Sequence, residues 1–117
     1  MEKEILCKCL IKNKGDRMSK IAHLRIYPIK KGLESDWVKL FNEKLIPEMS
    51  KAGIKVETAW MDKENSKFIW IRSYGSSEKD IETKEELFYE SNWWKENVNF
   101  VRGHLEENRE ITIIYSV

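Results

Sequence analysis

Two triplets of side chains have the types and spacing that chemistry would need. His23, Arg25 and Tyr27 stand two residues apart, and so do Trp70, Arg72 and Tyr74. At a period of two, each triplet lines one face of an extended segment. A guanidinium fork suits a carboxylate or an enolate. An imidazole can move a proton near neutral pH, and aromatic rings can sandwich a flat ligand. His23 and Arg25 are therefore the candidate catalytic residues, with Tyr27, Trp60, Trp70, Arg72 and Tyr74 as candidate binding residues. Protein interfaces are enriched in the same Trp, Tyr and Arg, so sealing an interface is the competing role for this set.

Other chemistries find little support. Structural zinc takes four Cys or His ligands, and Cys7, Cys9, His23 and His104 lack the spacing for it. Cys7 and Cys9 fit one face of a strand with Ile5 and Ile11, as small apolar residues. His104 is expected as a solvated cation near the end of a helix. Neither G-x-S-x-G nor a phosphate-cradling glycine pattern occurs. No cofactor is expected, although a lone histidine as a haem ligand would leave no spacing signal. Lys and Arg number 21 against 20 Asp and Glu, a net charge of +1. That is a poor footprint for nucleic acid. No apolar run approaches the roughly 20 residues of a membrane helix. The opening Met1-Glu2-Lys3-Glu4 is unlike a signal peptide, and two cysteines make no disulfide framework. A cytoplasmic protein with no nucleic-acid and no membrane partner is the expectation.

The 117 residues are one domain's worth, and the apolar patterns say how the triplets are positioned. Residues 21–29 read as a strand ended by Pro28. Leu33, Trp37, Leu40, Phe41, Leu45 and Met49 make the apolar stripe of a helix that Gly53 stops, with a kink expected at Pro47. Residues 54–61 and 68–74 read as a hairpin across the polar link 62–67. Thr83 and Glu86 fit a capping box, and the mixed charges of 78–86 read as a solvated helix face. A second stripe runs through Trp94, Val98, Val101 and Leu105, and residues 111–115 make a last strand. The order β-α-β-β-α-β predicts a ferredoxin-like α+β fold, an antiparallel sheet with both helices on one face. Residues 1–20 read as an extension, with a possible extra strand at 5–11, ahead of a domain at 21–117.

Alternation then assigns the faces. Ala22, Leu24 and Ile26, with Ile69 and Ile71, are expected beneath the helices. His23, Arg25, Tyr27, Trp70, Arg72 and Tyr74 would then line the open side, leaving residues 111–115 ambiguous. A surface so rich in rings would be covered, and a homodimer packed sheet to sheet, with a pocket between, is the expected cover. An RNA-recognition module shares the element order and stacks bases on such aromatics. Its Gly-Phe-Gly/Ala-Phe core is missing here.

Residues 21–117 resemble the NIPSNAP family, within the wider group of dimeric α+β barrel proteins. Leu24-Arg25-Ile26-Tyr27 with Lys31-Gly32, then Trp37-Val38-Lys39-Leu40-Phe41 and Leu45-Ile46-Pro47, carry the likeness. So do Gly53-Ile54-Lys55-Val56, Ala59-Trp60, Phe68-Ile69-Trp70-Ile71-Arg72-Ser73-Tyr74, Phe88-Tyr89-Glu90-Ser91 and Trp94-Lys95. Two departures stand out: Lys31-Gly32 replaces the usual Pro-Gly, and residues 1–20 have no counterpart. The resemblance implies ferredoxin-like domains paired through their sheets around a central pocket, and no defined reaction. Relatives of that architecture include cofactor-free monooxygenases, haem enzymes and ligand sensors. The expectation is a homodimer binding a small aromatic or carbonyl-containing molecule. A monooxygenase-like or isomerase-like enzyme and a non-enzymatic assembly module are the alternatives. In the enzyme, Arg25 would hold oxyanion charge and His23 would transfer the proton.

Overall fold

The computed structural model describes residues 19–117; the proposed strand at 5–11, with Cys7 and Cys9, lies outside them. Its elements run β1 (Ile21–Pro28), α1 (Glu34–Leu40), a π-helical turn (Phe41–Leu45), α2 (Ile46–Lys51), β2 (Lys55–Met61), β3 (Lys67–Gly75), α3 (Glu78–Tyr89), α4 (Asn92–Arg102) and β4 (Glu110–Tyr115). The sheet order is β2-β3-β1-β4 with every pair antiparallel. This is the ferredoxin-like α+β arrangement that the element order implies.

The kink expected at Pro47 takes the form of the π turn. The Ile46 amide reaches back to the Phe41 carbonyl, one residue further than in an α-helix, which relieves the crowding of a proline ring against the preceding turn. The wider turn also serves the core. Trp37, Phe41, Leu45 and Met49 recur every four residues, and on a 3.6-residue helix each such step drifts by about 40°. The π turn offsets that drift, and all four side chains are buried. Phe41 sits edge-on to Phe68 and Trp70, at 4.7 and 5.0 Å between ring centres.

Three sequence expectations need correction. The helix α3 starts at Ser77–Glu78 rather than near Thr83, and its cap is the Asp80 carboxylate. That group accepts from the Ser76 and Ser77 amides at 2.9 and 3.2 Å. Asp80 also satisfies its own first-turn preference, whereas Thr83 lies mid-helix. His104 is buried rather than solvated, and its Nδ1 donates to the Phe100 carbonyl at 2.9 Å, closing the end of α4.

The third correction is the largest: the faces of the sheet are the reverse of those expected. His23, Arg25, Tyr27, Trp70, Arg72 and Tyr74 lie beneath the helices, each 7% exposed or less. Tyr27 packs on Trp37 of α1, Arg72 reaches Met49 of α2, and Arg25 reaches Glu85 of α3. Ala22, Leu24, Ile26, Ile69 and Ile71 form the opposite face. The physical reason is Glu85. A guanidinium is excluded from a core only while it has no partner, and a carboxylate from a helix supplies one that strand alternation cannot reveal.

Candidate active site

The cluster begins with β1 and β3, which hold their triplets side by side. In register, Arg25 lies opposite Trp70, and His23 opposite Arg72. A bulge where Ile21 meets Ala22 lets Tyr74 fall out of step with the ladder and swing onto His23, edge to ring at 4.9 Å. From above, α3 lowers Glu85, whose Oε2 accepts from Arg72 Nη2 at 2.8 Å, Arg25 Nη2 at 3.1 Å and the Tyr74 hydroxyl at 2.8 Å. Burial alone would raise the Glu85 carboxyl; the Tyr74 and Arg72 hydrogen bonds and the two cations outweigh it and hold the carboxyl below its usual range. Burial, with the Glu85 charge beside it, pushes the Tyr74 phenol well above its ordinary value, against the pull of both arginines.

His23 is held neutral. Its buried ring and the neighbouring Arg25 cation lower it from 6.5 to about 4, against the opposing effect of Glu85. The geometry agrees, because Nδ1 faces Arg25 donors at 3.1 and 3.3 Å and so serves as an acceptor. The 3.5 Å approach of Nδ1 to Glu85 is thus not an ion pair near neutral pH. His23 holds the Arg25 fork in place.

The donors are unevenly spent. Arg25 Nη1 donates to the Tyr27 hydroxyl at 2.6 Å, and Arg72 Nη2 donates to the Tyr89 hydroxyl at 2.9 Å. Each phenol accepts from a guanidinium and keeps its own proton free to donate. Tyr27, Tyr89, Arg25 and Glu85 together wall a cavity of about 610 Å³ between α4 and the β1–β4 side of the sheet, with Trp94 as a flat flank. Arg102, Arg109 and Glu107 also line it, the two arginines stacked over Trp94 and Tyr27 at 5.7 and 6.0 Å, which leaves three guanidiniums against two carboxylates around the space. The cavity exists because the helices roof β4 incompletely: Ile111, Ile113 and Tyr115 share the helix side and remain about half exposed. Two buried guanidiniums against one carboxylate leave an unbalanced positive charge beside free phenol protons, a setting for an anionic or carbonyl oxygen.

Six of the seven sequence-predicted site residues are therefore brought together. Trp60 is not among them: it pairs with Ile69 on the opposite face and is 65% exposed. The alternation on β2 is interrupted by a bulge between Val56 and Thr58, so its faces could not be read by counting. Glu85 and Tyr89 were missed. A signal for Glu85 was present, since Ile81, Glu85 and Phe88 are spaced four and three apart, and the two apolar members are buried. A carboxylate on an otherwise buried stripe marks a partner for buried cations.

An uncharacterized NIPSNAP domain protein from Burkholderia xenovorans superposes with a TM-score of 0.72 at 13% identity, over 83% of this chain and 94% of that one. A NIPSNAP family protein of unknown function from Agrobacterium tumefaciens gives 0.74 at 15% identity, over 84% and 88%. The fold is the NIPSNAP fold. A putative antibiotic biosynthesis monooxygenase from Nitrosomonas europaea shares its outline, with a TM-score of 0.65 at 9% identity over 89% and 96%. The chain matches no protein-family model and no curated protein. Among the described residues, no helix is long and apolar enough to cross a membrane.

Proposed function

We propose that this protein is a NIPSNAP-like cytoplasmic homodimer that binds a small aromatic carboxylate or enolate in the cavity beneath α4. The observation that carries the reading is the charge at the cavity's inner wall, where Arg25 and Glu85 line the space and Arg72 stands behind them. Arg25 and Arg72 share the single carboxylate of Glu85, beside Tyr27 and Tyr89 hydroxyls whose protons are uncommitted. An anion entering there restores charge balance and accepts hydrogen bonds without displacing any. A volume of about 610 Å³ is within the usual range for small-molecule sites. Calorimetric titration of 2-naphthoate against its neutral amide tests this: the acid is expected to bind at least tenfold more tightly, and Arg25→Met to abolish the difference. Equal affinity of acid and amide overturns the reading.

The homodimer is supported by the other face of the sheet. Leu24, Ile26, Ile69 and Ile71 are only half-buried there, next to exposed Trp60, a surface that a second copy would cover. Equilibrium sedimentation showing a monomer at micromolar concentration would remove it. A monooxygenase-like or isomerase-like reaction is the second reading, favoured by the same donor set, since Arg25 and the two phenols suit developing oxyanion charge. The proton acceptor would then be a group other than His23, whose Nδ1 is committed to Arg25.

A further inference from the structure

The two edges of the sheet are protected unequally. The β2 edge is broken by the bulge between Val56 and Thr58, where Lys55 and Glu57 add charge, and such devices discourage a further strand. The β4 edge has neither: Ile111-Thr112-Ile113-Ile114-Tyr115 holds no charge, proline or bulge. Among the described residues it pairs with β1 alone. The Ser116 amide donates to the Lys20 carbonyl at 2.9 Å, so Ser116 and Lys20 are a hydrogen-bonded pair. By antiparallel alternation, Ile114 and Thr112 then bond to β1 as well. Ile111, Ile113 and Tyr115 therefore turn their amides and carbonyls to the outer edge, and their side chains are 50%, 45% and 55% exposed. An unguarded edge of this kind is a template for strand addition.

We infer that residues 5–11 of the same chain, Ile5-Leu6-Cys7-Lys8-Cys9-Leu10-Ile11, add to this edge as a fifth strand parallel to β4. The place where the described chain begins favours this occupant. The Lys20 amide donates to the Ser116 hydroxyl at 2.7 Å, so the chain enters β1 beside the C-terminal end of β4. Residues 12–19 have only to cross two strand spacings, about 10 Å, and eight extended residues reach about 26 Å. Ile11 then lies at the Tyr115 end, and the added strand runs the same way as β4. Composition agrees. β4 is open on both faces, a parallel neighbour is apolar on both, and six of the seven residues at 5–11 are apolar. The tether decides against a second copy, because so short a linker gives the segment an effective concentration on the order of millimolar.

Amide hydrogen exchange, followed by NMR on the full chain, reads this edge directly. Thr112 and Ile114 report pairing with β1, while Ile111, Ile113 and Tyr115 report the added strand. In the unaltered chain all five amides are expected to exchange at least about 100-fold more slowly than in an unstructured peptide. Lys8→Pro and Cys9→Pro are then compared: the positions are adjacent, so in any register one of them removes an amide that faces β4. At least one variant should return Ile111, Ile113 and Tyr115 to near-peptide rates. Thr112 and Ile114 should stay protected in it, which also shows that the domain is folded. Fast exchange at the three edge amides of the unaltered chain overturns the inference. So does edge protection that survives both substitutions; if that protection falls on dilution, a second copy holds the edge instead.

Discussion

The two faces of this sheet are built from neighbouring residues of the same strands and solve burial in opposite ways. Beneath the helices stand His23, Arg25, Tyr27, Trp70, Arg72 and Tyr74, nearly all their polar atoms satisfied by one another and by Glu85. On the other side Leu24, Ile26, Ile69, Ile71 and Trp60 carry no charge and are left partly open. Polar groups on that side include Thr58, Thr112 and Glu110 beside the aliphatic residues, and at one end Glu57 at the β2 bulge accepts from Ser73 and Lys20 at 2.5 and 3.2 Å. The contrast shows that hydrophobicity alone does not choose the buried face. A polar-tipped residue goes inside when a partner waits there, and an aliphatic one can be left for another surface to cover.

The comparison breaks most sharply at Glu85. Replacing it by Leu leaves two buried guanidiniums facing each other, and the expected loss is about 3–5 kcal/mol in urea unfolding. A loss below about 1 kcal/mol would mean that the face is not closed by this carboxylate. Next in size is the acid limb of stability. Between pH 6.5 and about 4 the unfolded chain binds a proton at His23 that the folded chain refuses. Stability is therefore fully present above pH 6.5 and falls as pH drops through that window, by on the order of 3 kcal/mol. His23→Gln, which keeps an acceptor for Arg25, should flatten this part of the curve. An unchanged slope would mean that His23 titrates normally in the folded protein. On the other face, Ile71→Asp is expected to shift sedimentation from dimer to monomer while costing each protomer about 1 kcal/mol. Trp60→Ser should alter protomer stability by less than about 0.5 kcal/mol, so any larger effect places its ring in a contact within the chain.

Much of this was legible in the residues, and the failures have a pattern. The strands, the hairpin and both helical regions follow from apolar periods of two and about 3.6, which are local properties. The alternation of His23, Arg25 and Tyr27 against Leu24 and Ile26 was also local and correct. Which set faced the helices was not local, because it depended on Glu85, sixty residues away in the chain. The same limit applied to His104, whose burial depends on the Trp37 ring packed against it. Trp60 was grouped with the site by residue type alone, and the β2 bulge, one extra residue that reverses every later position, puts it on the other face.

The most direct test of the central claim is a crystal structure of the protein with 2-naphthoate. The account predicts the carboxylate within hydrogen-bonding distance of Arg25 and the Tyr27 and Tyr89 hydroxyls, with the rings against Trp94 beneath α4. A naphthoate lodged instead between the aliphatic faces of two paired sheets, with the Arg25 cavity empty, would contradict it.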